Sequence, residues 1–118
     1  MKIERGQVIN ARFPHASGQR GKKRPVVVIQ ADGYNLHLRH AVVAQLTTNL
    51  SDQDDPACFL IEASSPVGQA AGIVQDCVFS GYLISLMSED RLHDVIGKLT
   101  EDAMRMADEC LKAALGLS

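Results

Sequence analysis

At 118 residues the chain has room for one domain, read here as a single unit over 1–118, with one modest core. Nearly half the residues are apolar (46%), no Pro/Gly/Ser-rich stretch has linker length and no apolar run approaches membrane-spanning length, which argues against a linker-joined chain and a helical membrane protein. The net charge of −2 hides a division: up to His40 the cations are Lys2, Arg5, Arg12, Arg20, Lys22, Lys23, Arg24 and Arg39 against Glu4 and Asp32, and beyond it the balance inverts, so the choice lies between a basic patch for a polyanion and a fold that interleaves and cancels the two halves.

The first predicted strand is QVINARF, in which Val8, Ile9, Ala11 and Phe13 mix with polar positions. PHASGQRGKK follows as a loop, with Pro14, Ser17, Gly18 and Gly21 as breakers. RPVVVIQ is a β-branched run whose apolar continuity predicts burial on both faces, with Pro25 tolerated at its opening. Tyr34, His37, Arg39 and His40 read as a solvent-facing hairpin. HAVVAQLTTNL predicts a strand over 41–46 that ends in hydroxyl and amide residues. SDQDDP is an acidic turn, ACFLIEA a third core strand, and SSPVGQAAG a loop. IVQDCVFSGYLISLM holds at least one more strand of undefined bounds, and HDVIGKL a short one.

Helices are expected only in the second half: a short turn, SEDRL, capped by Ser88, and EDAMRMADECLKAALG, capped by Thr100 and stopped by Gly116. In the latter, Met104, Ala107, Leu111 and Leu115 form an apolar stripe suited to core or subunit packing. Several short strands between breaker-rich loops predict a small antiparallel sheet or barrel. Cys58, Cys77 and Cys110 are an odd count without a C-x-x-C pair, which fits buried thiols better than a zinc site, a disulfide framework or a nucleophile.

Taken in order, ERGQVINARFP, GKKRPVVVIQAD, VVAQLTTN, AGIVQDCVF and EDRLHDVIGKLTEDAMRMADECLKAALGL run nearly the length of the chain, and together they resemble the MazF/PemK family of toxin endoribonucleases. The resemblance implies a mainly β fold with α: a small SH3-like barrel of CcdB/MazF type with a C-terminal amphipathic helix, usually a homodimer. It also implies a cytoplasmic toxin of a type II toxin–antitoxin system that cleaves single-stranded RNA without a metal or other cofactor and is silenced by a cognate antitoxin protein. The family's catalytic arginine falls on Arg24 and its strand-end Thr or Ser on Thr47, with Thr48 a neighbour able to take its place. Lys22, Lys23 and Arg20 supply cationic attraction for RNA, and His15 is a loop histidine suited in pKa to proton transfer or simply a loop residue.

The residues suit that chemistry on their own terms. A guanidinium is planar, always charged, and grips two phosphate oxygens at once. A threonine offers a short hydroxyl that donates to the same phosphate. Taken singly, Arg24 also reads as a surface ion-pair partner, Thr47 as a strand-end hydroxyl satisfying the backbone, and Lys22 and Lys23 as solubilising charges. Phe13 and Tyr34 are candidates for base stacking, with core packing the alternative for Phe13.

Four departures from the family pattern stand out. Leu83, Leu86 and Ser88 stand where polar Gln, Thr and Asp are expected before the closing Arg-Leu, and Gln7 replaces an acid. Asp76 and Ser85 are the nearest substitutes for a lost carboxylate or polar group. These departures open two other readings: a catalytically weakened or inactive relative that binds a partner, and a toxin of the same fold with a protein target. The leucines also suit an enlarged subunit contact.

Overall fold

The protein is described from a computed structural model covering residues 2–13 and 22–118. His15 and Arg20 lie outside the described residues. Six strands, β1 (Gln7–Arg12), β2 (Lys23–Val28), β3 (His40–Thr47), β4 (Cys58–Ile61), β5 (Cys77–Ser88) and β6 (Leu92–Lys98), form one antiparallel sheet in the order β4-β5-β3-β2-β1-β6. Among the described residues three α-helices accompany it: α1 (Asp32–Asn35), α2 (Pro66–Ala71) and α3 (Glu101–Leu115).

Both faces of the sheet are covered, as the unbroken valine run of β2 requires. Val26, Val27 and Val28 are completely buried. Alternation sends Val27 into one core, with Val8, Ala44, Leu46, Phe59 and Phe79 and the α3 residues Ala103, Ala107 and Cys110. Val26 and Val28 enter a second core with Ile3, Ile9, Val43, Met87 and Leu92, against which Phe13 packs. Phe13 is therefore a packing residue.

The strand order leaves β4 and β6 at opposite edges, and α2 brings those edges together. A methyl group at Gly68 of α2 would lie 2.1 Å from the Glu62 carbonyl oxygen, just past β4. One at Gly97 of β6 would lie 2.3 Å from the Ala70 carbonyl oxygen. Two register shifts between β1 and β6, and one between β3 and β5, supply the curvature that barrel closure needs.

Several sequence expectations are corrected. SSPVGQAAG is a helix: Ser65 accepts the Gly68 N–H at 3.0 Å, Pro66 occupies the first turn, and Gly72 ends it at φ 74°. The region around Tyr34 is the single turn α1, so helices are not confined to the second half. Ser88 does not cap the 3₁₀ turn Glu89–Arg91; its hydroxyl donates to Asp90 instead. The apolar side of α3 is centred on Ala103, Ala107 and Cys110, with Met104 and Leu111 at its margins and Leu115 exposed. Thr100 caps α3 as expected, accepting the Ala103 N–H at 3.2 Å.

All three cysteines are buried and free. Burial, then the neighbouring Cys58, pushes the Cys110 thiol up to about 11. Burial, then Asp76, raises Cys77. Thiols held in the neutral form are poor nucleophiles.

At the end of β2 remote from its cations, Gln30 is buried and fully engaged. Its Nε2 donates to Asn35 Oδ1 at 2.9 Å and to the His40 carbonyl at 3.0 Å, while its Oε1 accepts the Val42 N–H at 3.2 Å. Asp32 accepts the Arg5 backbone N–H at 2.7 Å and an Asn35 amide hydrogen at 3.1 Å, and these bonds hold its carboxyl below the ordinary 3.8. A lowered pKa means that folding favours the ionised form. The resulting stabilisation is full above about pH 3.8 and is lost as pH falls through the folded-state value.

The closure geometry yields a prediction. Gly97→Ala should destabilise the protein at the upper end of the roughly 1–3 kcal/mol typical of overpacking, because the obstructing atoms are backbone. Gly33→Ala, where nothing lies within 4 Å, should be neutral or stabilising by about 0.5–1 kcal/mol. Urea midpoints measure both; equal midpoints for the two variants would contradict the closure.

Candidate active site

Antiparallel pairing sets Val26 opposite Gln45, Val27 opposite Ala44 and Val28 opposite Val43. The same register holds at Ile29, whose N–H donates to the Val42 carbonyl at 3.0 Å. Continued two residues the other way, it sets Arg24 across from Thr47. Pro25 has no N–H to extend a ladder, and the β2–β3 pairing stops at Val26. On its other side β2 stays paired with β1 as far as Arg12 and Lys23. Pro25 is thus the third residue of β2 and not its first, and the guanidinium beside it is carried on backbone that is already fixed.

Arg24 and Thr47 line the same groove of about 530 Å³, together with Lys22, Lys23, Pro25, Leu46, Thr48, Asn49 and Gln75. Lys22, Lys23, Arg24 and Thr48 are exposed and Thr47 is half-buried. Among the described residues, three cations and no carboxylate line the wall. Lys23 reaches Asp94 at 3.8 Å, an exposed pair of little energetic weight. Among the described residues Lys22 and Arg24 form no ion pair. Elsewhere the two halves of the chain do cancel: Arg5 pairs with Asp108 at 2.5 Å. A depression of similar size along α3, lined by Arg105, Asp108, Glu109, Leu111, Lys112 and Leu117, has acids among its cations and lacks this polarity.

Thr47 Oγ1 accepts the Asn49 N–H at 3.1 Å, and Asn49 Oδ1 in turn accepts the Ser51 N–H at 3.1 Å. The strand-end reading of this hydroxyl therefore holds, and it does not compete with a role in the groove. Its oxygen is engaged as an acceptor, which leaves its hydrogen to be donated outward.

Other candidates fall away from the groove. Tyr34 is exposed on α1 and does not line it. Asp76 accepts the Ala63 N–H at 2.8 Å, closing the turn after β4. Ser85 sits on β5 opposite Val43, outside the groove lining. Leu83, Leu86 and Ser88 do not line it either. Gln7 Oε1 accepts the Glu4 N–H at 2.9 Å, so this residue closes the first turn. Among the described residues no cluster of three or more His, Cys, Asp or Glu is placed to hold a metal ion. No helix among them is long and apolar enough to cross a membrane. Asn49 and Gln75 are groove residues that the sequence reading did not select; the only signal was their polarity beside strand ends.

Fold and groove together define a small antiparallel barrel that presents a strand-mounted arginine and a threonine hydroxyl in one cationic cleft. Residues 4–115 match the family described as PemK-like, MazF-like toxin of type II toxin-antitoxin system, and the chain belongs to that family. It is similar to the endoribonuclease EndoA of Bacillus subtilis (strain 168), at 31% identity over 118 residues, covering 99% of this chain and 97% of EndoA. Among solved structures it resembles an endoribonuclease in complex with its cognate antitoxin from mycobacterial species, at 22% identity and a TM-score of 0.77, covering 98% of this chain and 97% of that one. It also resembles a MazE–MazF structure (form III) from Deinococcus radiodurans, at 17% identity and a TM-score of 0.75, covering both chains fully. These two likenesses bear on the fold, and the MazF-type barrel expected from the sequence is the fold observed.

Proposed function

We propose that the chain is the toxin of a type II toxin–antitoxin pair and cuts single-stranded RNA without a metal, with the substrate's own 2′-hydroxyl as nucleophile. The observation that supports this most is the shared groove of Arg24 and Thr47 with Lys22 and Lys23 at its mouth, in a chain of this family. The 2′-hydroxyl gives up its proton to solvent as its oxygen bonds to the adjacent phosphorus and the bond from phosphorus to the 5′-oxygen breaks, leaving a 2′,3′-cyclic phosphate. Charge builds on the non-bridging oxygens, and the departing 5′-oxygen takes up a proton. Arg24 is assigned to that developing charge, where a fixed guanidinium stabilises the transition state more than the ground state. Thr47 donates its hydroxyl to the same phosphate. Lys22 and Lys23 attract the strand, a contribution that falls with salt. Thr48 borders the groove as a further phosphate or sugar contact.

The departures at Leu83, Leu86 and Ser88 lie outside the groove, so they thin a polar surface without removing the clamp. This favours the nuclease over the non-catalytic relative. A binder of a protein target has no use for an aimed phosphate clamp, which weakens the third reading. Partners on this account are single-stranded RNA, a cognate antitoxin and a second copy of the chain. Tyr82 and Leu86 of β5 are 46% and 62% exposed, more apolar surface than a solvated strand needs.

In the presence of chelator, wild-type protein should cleave an RNA oligonucleotide and leave its all-2′-deoxy copy intact. Arg24→Ala should slow cleavage by about 10²–10³-fold. Cutting of both oligonucleotides alike, or a variant as fast as wild type, would overturn the assignment. Sedimentation velocity should show a dimer that Leu86→Glu shifts towards monomer; a wild-type monomer, or an unshifted variant, would remove β5 as the contact.

A further inference from the structure

A second cavity, of about 340 Å³, adjoins the cationic groove, and the two share Pro25, Thr48 and Gln75. Its character differs. Ile73, Val74, Ile96 and Pro25 form apolar walls, Asn10 and Gln75 contribute amides, and among the described residues no charged side chain lines it. Asn10 is placed there by β1 pairing, directly across from Pro25. Asn10 is half-buried and Gln75 exposed, and among the described residues neither side-chain amide has a hydrogen-bond partner. By contrast, the side chains of Gln30, Asn35, Gln7 and Asn49 all make hydrogen bonds. Two unengaged amides at the edge of an apolar cavity of small-molecule size are binding groups without an internal task.

A nucleotide is divided in the same way as this pair of cavities. Its phosphate is anionic, and its base is neutral and flat, with apolar faces and a polar edge. We infer that the second cavity is a base-selecting subsite: the nucleobase beside the cleaved phosphate sits against Val74, Ile96 and Pro25 and is read along its edge by Asn10 and Gln75. This inference rests on the nuclease reading above and adds to it the origin of sequence preference. An amide presents a donor and an acceptor side by side, so it discriminates bases by the order of those groups on their edges. Among the described residues no aromatic side chain lines the cavity, so selection is assigned to the edge and not to stacking.

Sequencing the products of a randomised RNA pool measures the preference at each position flanking the cut. Asn10→Ala and Gln75→Ala should each flatten the preference at one flanking position by about fivefold or more, the loss expected for one amide–base contact. Preference at the other positions should persist. Slower cleavage with an unchanged profile would overturn the subsite while leaving the nuclease intact, whereas a pool left uncut by wild-type protein would count against the nuclease reading itself. A second measurement is independent of cleavage. In Arg24→Ala protein, titration with four 2′-O-methyl oligonucleotides differing at that position should shift the Asn10 and Gln75 side-chain amide resonances by amounts that depend on the base. Absent or base-independent shifts would refute the subsite whether or not the protein cuts RNA.

Discussion

The register of β2 against β3 is the constraint on which the site depends. A valine run cannot specify register by polarity, since a slipped valine meets another apolar neighbour. The ends of the run do so instead. At one end Gln30 grips the His40 carbonyl and the Val42 N–H of the facing strand, so a slip would leave a buried amide unsatisfied. At the other, sliding the strand inward would carry Arg24 towards the core, where an unpaired charge is strongly disfavoured. Between them three fully buried valines hold the strand, each contributing roughly 1.5–3 kcal/mol. The register that carries Arg24 towards Thr47 is thus fixed at both ends of the run.

That arrangement explains why the net charge says little about the site. The basic amino-terminal half and the acidic remainder do interleave where Arg5 pairs with Asp108. Cancellation stops at the β2 mouth, where Lys22 and Arg24 remain without an ion pair among the described residues. The two readings of the charge division were not alternatives. Folding pairs Arg5 with an acid of the remainder and leaves a local field where the strands part.

Much of this was legible in the sequence, for identifiable reasons. The valine run declared burial on both faces, and Thr100 and Gly116 bounded α3 by cap chemistry. α2 was not legible because its apolar residues are too few for a periodic pattern; only Ser65-Pro66 and the terminal Gly72 marked it. The length of β5 was hidden by Gly81, which reads as a breaker. It lies in mid-strand because the α3 backbone passes there, with the Cys110 carbonyl oxygen 2.6 Å from where a methyl group would be. Asn10 and Gln75 were overlooked because polar residues in a mixed strand or a loop look solvated until the cavity they border is seen.

The central claim is that Arg24 and Thr47 act on one phosphate as a unit, and a double-mutant cycle on the cleavage rate tests it most directly. Groups that share a task are strongly non-additive. The account predicts that Thr47→Val slows the wild-type enzyme by about 10- to 150-fold, the worth of a hydrogen bond to a charged group, yet slows Arg24→Ala far less. Rate losses that simply multiply in the double variant would mean that the two side chains work independently, and the shared clamp would be wrong.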